Sequence, residues 1–156
     1  MNDLVEFLKA RLDQDEAVAR AATPGPWRAD LSPVTVMSQE MQSPWAIQSE
    51  AEQYPHGRVA APGYEGGGVR KKADADHIAR HDPARVLRQV EAGRWVLARH
   101  KLDPDGRWAS PGQELCAGCG CDWQGGIMPV DECPELRNLA SIYQDASGWQ
   151  ERWHVS

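Results

Sequence analysis

Apolar residues recur at helical spacing from the start of the chain. Leu4, Leu8 and Leu12, with Val5, Val18 and Ala19, form one stripe, while Arg11, Asp13, Asp15 and Glu16 face away from it. The pattern predicts a helix from about Asp3 to Ala21, opened by a capping box in which Asp3 and Glu6 each satisfy a free backbone N–H. Thr23-Pro24-Gly25-Pro26 ends it, because proline cannot continue the hydrogen-bond ladder and pushes its predecessor into extended geometry. From Trp27 to about Val69 the composition turns strand-like. Val34-Thr35-Val36, Trp45-Ala46-Ile47 and Arg58-Val59-Ala60 read as short strands of an antiparallel meander. Gly63 to Gly68, with four glycines, reads as a loop. Helical spacing returns at Ala73, where Asp74 or Asp76 can cap a short helix through Ile78 and Ala79. Asp82-Pro83 opens a longer one, with Asp as N-cap and Pro at the first helical position. Val86, Leu87, Val90, Arg94 and Leu97 carry it to about His100. A loop rich in Gly, Asp and Pro runs from Asp103 to Met128, and a last helix follows Cys133-Pro134 with Leu136, Leu139, Ala140 and Tyr143 on one face. The expected class is α+β: an N-terminal helix, a small antiparallel sheet, two or three further helices and a cysteine-rich C-terminal module. The expected organisation is a core domain over 1–102, with residues 103–156 packed on it.

Charge narrows the function classes. The 156 residues hold 17 Lys and Arg against 23 Asp and Glu, a formal net charge of −6. That balance opposes a broad nucleic-acid surface, although a local basic patch is still compatible with it. No apolar run approaches the roughly 20 residues that span a bilayer. Met1-Asn2-Asp3-Leu4-Val5-Glu6 lacks the basic and apolar regions of a signal peptide. The expectation is a soluble, acidic, cytoplasmic protein. Seven Trp against one Phe and three Tyr leave the aromatic load mostly to indoles.

Ala21-Ala22-Thr23-Pro24-Gly25-Pro26-Trp27, followed by Asp74-Ala75-Asp76-His77-Ile78-Ala79-Arg80-His81-Asp82-Pro83, resembles an actinobacterial and actinophage family of small proteins of unknown function. The shared marks are an ATPGPW-type turn and a D-A-x-x-I-A helix. More distantly, the chain is similar to early-region accessory proteins of temperate phages. The Cys-x-x-Cys and Cys133-Pro134-Glu135-Leu136-Arg137 extend the likeness over nearly the whole chain. The resemblance implies a phage or prophage origin and assigns no chemistry.

The cysteines supply the sharpest chemical signal. Cys116-Ala117-Gly118-Cys119 looks like a zinc knuckle: the two-residue spacing lets both thiolates meet one metal, and glycine permits the close turn. Cys133 opens a predicted helix, whose dipole favours a thiolate. For the fourth ligand the resemblance implies His100, whereas Cys121 or His154 would complete the set instead. Structural zinc is the expected cofactor, with reduced thiols or a redox pair as the alternative readings. The H-x-E with P-C-x-x-C pattern of zinc deaminases and the H-E-x-x-H of metalloproteases are both absent from the sequence.

A second constellation concerns a ligand. Trp27 beside its rigid turn reads as a packing residue. It can also form the wall of a pocket, with Arg28 as an anion anchor and Trp45 and Tyr54 as stacking surfaces. Gly66 to Gly68 with Arg70, Lys71 and Lys72 concentrates positive charge before a helix, where a phosphate can be received. His77 and His81 have a spacing that can bind a metal, but the reading preferred for them packs His77 beneath the sheet and sets His81 at a helix junction. No catalytic residues emerge. The expected function is a phage-type accessory protein that sequesters a small anionic, nucleotide-like ligand, a signal of host defence, and so blunts that defence. The alternatives are a zinc-stabilised protein that binds a host protein, and a nucleotide or phosphoester hydrolase.

Overall fold

The computed structural model describes residues 2–31, 45–52, 56–61, 68–100, 115–119 and 128–155. Helix α1 (Asp3–Ala21) precedes strands β1 (Trp27–Leu31), β2 (Trp45–Ser49) and β3 (Arg58–Ala60). Helices α2 (Lys72–Arg80), α3 (Pro83–Arg99) and α4 (Pro134–Ser141) follow, with single 3-10 turns at Val130–Glu132 and Glu151–Trp153. The class is α+β. Contacts group the chain into two compact units, residues 15–89 and residues 1–14 with 90–156. The expected boundary near residue 102 and the expected strand Val34-Thr35-Val36 lie outside the described residues. Among the described residues, no helix is long and apolar enough to cross a membrane.

In residues 15–89 the sheet has the order β1-β2-β3 and is antiparallel, with Trp27 opposite Ser49 and Leu31 opposite Trp45. β3 joins through Ile47–Ala60 and Gln48–Arg58, with an irregularity between the two pairs. Helix α2 packs against β1 and β2 and buries Ala75 and Ala79, whose small side chains let helix and sheet approach closely. That geometry turns His77 to water: it is exposed rather than packed beneath the sheet. His81 is the C-cap of α2, at the junction with α3. Neither Asp74 nor Asp76 caps α2, since the N-cap position is Lys71 and Asp76 pairs with Lys72.

The turn before β1 is tied down by a buried carboxylate. Asp82 Oδ1 accepts from the Arg85 amide at 2.7 Å, as the N-cap of α3, and its Oδ2 accepts from the Trp27 amide at 3.1 Å. A Cβ at Gly25 would lie 2.9 Å from both Cγ and Oδ2 of Asp82, so only glycine lets the turn come this close. The Trp27 indole N–H donates to the Thr23 carbonyl at 2.9 Å, and the Ser49 hydroxyl donates to the Pro24 carbonyl. The Pro-Gly-Pro-Trp and His-Asp-Pro segments therefore meet as one clamp. Asp82→Ala, which strands two amides, is expected to lower stability by about 2–3 kcal/mol. An unchanged urea midpoint would show that the clamp contributes nothing.

In residues 1–14 with 90–156, the core is built from Leu4, Phe7, Leu8, Leu12, Val90, Leu97, Leu136, Ala140 and Trp153. Phe7 is its aromatic hub, 5.1 Å from Trp153, 6.2 Å from Trp149 and 6.4 Å from Tyr143 between ring centroids. The latter two pairs are edge-on, the arrangement that the ring quadrupole favours. Helix α1 is capped by Asn2, whose side-chain oxygen accepts from the Leu4 and Val5 amides at 3.1 and 3.4 Å. Asp3, expected in that role, is the first residue of the helix and pairs with Arg152 at 3.1 Å.

Candidate metal centre

Three separate pieces of the chain bring four donors together. Helix α3 delivers His100 at its end, where the His100 amide still donates to the Val96 carbonyl at 2.9 Å. The knuckle is held by a bridge between Leu115 and Pro129 and by the Cys116 amide, which donates to the Met128 carbonyl at 3.0 Å. Cys133 stands immediately before α4, and its carbonyl accepts from the Arg137 amide at 2.9 Å. Gly118 is the residue that lets these pieces meet, because a Cβ there would lie 2.5 Å from the Arg99 carbonyl oxygen and 2.7 Å from His100 Nδ1.

His100 Nδ1 lies 3.4 Å from Cys116 Sγ, 3.5 Å from Cys119 Sγ and 3.4 Å from Cys133 Sγ. Cys119 Sγ lies 3.2 Å from Cys133 Sγ and 3.6 Å from Cys116 Sγ. Ligands on a tetrahedron about 2.3 Å (sulfur) and about 2.05 Å (nitrogen) from its centre are themselves about 3.5–3.8 Å apart. The four atoms thus span one metal-sized tetrahedron, and His100, Cys116, Cys119 and Cys133 can hold a metal ion. Cys116, Cys133 and His100 are buried, while Cys119 is half-buried.

The electrostatics fit a cation. Burial pushes the Cys119 thiol up, helped by its hydrogen bonds to the Cys133 and Cys116 sulfurs and by their charge. Burial also pushes the Cys133 thiol up, against the opposing pull of the Leu136 amide. Without an ion the Cys119 and Cys133 thiols resist ionisation. A divalent metal reverses this, since it binds the thiolates and releases their protons. Glu135 Oε2 sits 3.6 Å from Cys119 Sγ and 3.7 Å from Cys133 Sγ. Its carboxyl is held below the usual range, chiefly by its own backbone N–H. Of the other expected ligands, Cys121 lies outside the described residues and the exposed His154 is not in the group. Sequence reasoning passed over Glu135, whose signal is its place two residues after Cys133.

The second expected constellation is in residues 15–89. A groove of about 610 Å³ is lined, among the described residues, by Arg28, Ala29, Asp30, Leu31, Trp45, Gln48 and Lys72. Trp27 instead lines a smaller hollow of about 390 Å³ with Lys72, Asp76, Ala79 and Arg80. The Lys72 ammonium lies 5.5 Å from the centroid of the Trp45 ring. Arg28 pairs with Asp30 at 2.8 Å and Lys72 with Asp76 at 2.6 Å. Arg70 and Lys71, in the turn ahead of α2, do not line the groove, and Tyr54 lies outside the described residues.

Fold and donors together define an α+β protein with a Cys3His cluster fit for one metal ion. The chain belongs to a family of unknown function (DUF6221), whose pattern matches residues 1–155. No curated protein and no solved structure matches it.

Proposed function

We propose that the protein is a zinc-stabilised binding protein that sequesters a small anionic, nucleotide-like ligand and carries out no chemistry on it. The observation that supports this reading is the groove in which Trp45, Arg28 and Lys72 converge, with the ammonium over the indole. An indole face suits a base, and two cations suit a phosphate. The Arg28–Asp30 and Lys72–Asp76 pairs are largely exposed, so each holds its cation by less than about 1 kcal/mol and yields to a competing anion. Zinc is the metal because three thiolates with one imidazole are a donor set it takes in structural sites. Four protein donors leave no open position for a substrate, and the role of the ion is to fasten the knuckle to α3 and α4. The resemblance of the Pro-Gly-Pro-Trp and Asp-Ala-Asp-His-Ile-Ala segments supplies the setting: a cytoplasmic protein of actinophage or prophage origin that withholds a nucleotide signal from host defence.

Calorimetric titration with a panel of linear and cyclic nucleotides tests the reading. Trp45→Ala is expected to weaken binding by about 1–3 kcal/mol at every salt concentration. Lys72→Ala is expected to flatten the salt dependence, because it removes a screened contact. Failure of every nucleotide to bind at micromolar concentration would overturn sequestration. A protein partner is then the better reading, and one observation favours it: Trp95 is 65% exposed on α3, with the Arg99 guanidinium 5.8 Å from its ring centroid. Exposed Trp and Arg are the side chains that most often anchor protein interfaces.

A further inference from the structure

We infer that His77 and His81 form a second metal-binding site on the water-facing side of α2, for a divalent transition ion of the nickel–copper–zinc group. His77 lies in the last turn of α2 and His81, four residues on, is its C-cap. Their ring centroids are 4.3 Å apart and their planes are tilted by 35°. Both side chains are exposed, so no core packing holds them together. One contact pre-orients the pair. His81 Nδ1 lies 2.8 Å from the His77 carbonyl oxygen, which can only accept. The proton of the neutral ring therefore sits on Nδ1, and the lone pair is left on Nε2, free for a metal. A ring N–H donated to a backbone carbonyl is the arrangement that fixes the tautomer of metal-ligating histidines and raises their basicity. Asp76, the acid beside His77, is engaged by Lys72.

The donor type selects the ion. Imidazole nitrogens suit nickel, copper and zinc, while calcium and magnesium require oxygen ligands. With two ring nitrogens as the protein's donors, the remaining positions go to water, and affinity follows the order cobalt, then nickel, then copper. The site shares no residue with the His100, Cys116, Cys119 and Cys133 cluster. It also stands apart from the sequestration reading, since neither His77 nor His81 lines that groove.

The test uses the full chain with its cysteine centre loaded with zinc, titrated with nickel(II). Heat and the paramagnetic broadening of the His77 and His81 imidazole proton signals are followed together. One saturable nickel site is expected, with cobalt(II) binding more weakly. His77→Gln and His81→Gln are each expected to weaken it by at least about tenfold. His56→Gln and His154→Gln, at other exposed histidines, are expected to leave it unchanged. All four variants should melt like the parent without nickel, since none of these side chains is buried. The inference is overturned if nickel does not saturate the wild type, or if it binds the His77→Gln/His81→Gln double variant as tightly. It is equally overturned if broadening appears at His56 or His154 instead.

Discussion

Cys133→Ser is expected to leave purification with well under one zinc per chain, where the wild type is expected to carry close to one. Cys133 is fully buried, and its sulfur stands 3.2 Å from Cys119 Sγ and 3.4 Å from His100 Nδ1. A serine hydroxyl at that point ionises far less readily than a thiol, so it is a poor metal ligand, and it also buries a polar group. Structural zinc binds with an apparent free energy of about 10–16 kcal/mol at neutral pH. The whole stability of a typical domain is only about 5–15 kcal/mol. Losing the ion should therefore unfold much of what it fastens. The knuckle at Leu115–Cys119 has one bridge, Leu115–Pro129, to hold it among the described residues. Hydrogen exchange is expected to rise at Cys116, Leu136 and Ala140, whereas Ala46 and Ile47 in β2, within residues 15–89, keep their protection. A strong chelator applied to the wild type should produce the same pattern. Wild-type protein with near-zero metal and freely titratable thiols would refute the structural role of zinc.

The metal centre and the sheet were legible to different degrees, for different physical reasons. The knuckle is local: two thiols three residues apart on a tight turn declare their common target within four positions. Cys133 and His100 are 33 positions apart and come together only because α3 ends, and α4 begins, at the same place. No periodicity in the sequence carries that information; only the family resemblance implies His100. Strand β1 is the opposite case. Trp27, Ala29 and Leu31 alternate with Arg28 and Asp30, a clear period of two. The two charges and the alanine lower its strand propensity, and pairing with β2 outweighs that. Lys72 entered the groove in place of Arg70 and Lys71 because α2 begins there and presses its first turn toward β2. Likewise, the solvent position of His77 follows from Ala75 and Ala79 claiming the buried side of the same helix. Asn2 took the cap from Asp3 because an N-cap must precede the first helical residue, and α1 starts at Asp3. At Lys72 and Asn2 the position of a helix start decides which side chain acts, and boundaries are what spacing alone fixes least well.

Gly118→Ala should lower metal affinity, although it leaves all four donors in place. The added methyl would sit 2.5 Å from the Arg99 carbonyl oxygen, 2.7 Å from His100 Nδ1 and 2.8 Å from His100 Cγ. Real Cβ atoms do not approach other atoms this closely, and neither neighbour can yield cheaply. The Arg99 carbonyl belongs to the last residue of α3, and His100 is buried at the helix end. The knuckle must back away, opening the distances from Cys116 and Cys119 to His100 Nδ1 beyond the 3.4 and 3.5 Å they now have. Overpacking of this kind costs about 1–3 kcal/mol. At about 1.4 kcal/mol per factor of ten, that weakens zinc binding by about 5- to 150-fold. Ala117→Ser is the control: the neighbouring residue is exposed, so the same segment is altered without crowding the histidine. Competition with a chromophoric chelator reads both affinities. Equal affinity in Gly118→Ala and wild type would mean that the knuckle does not press against His100, and that His100 is not held where it can complete the tetrahedron.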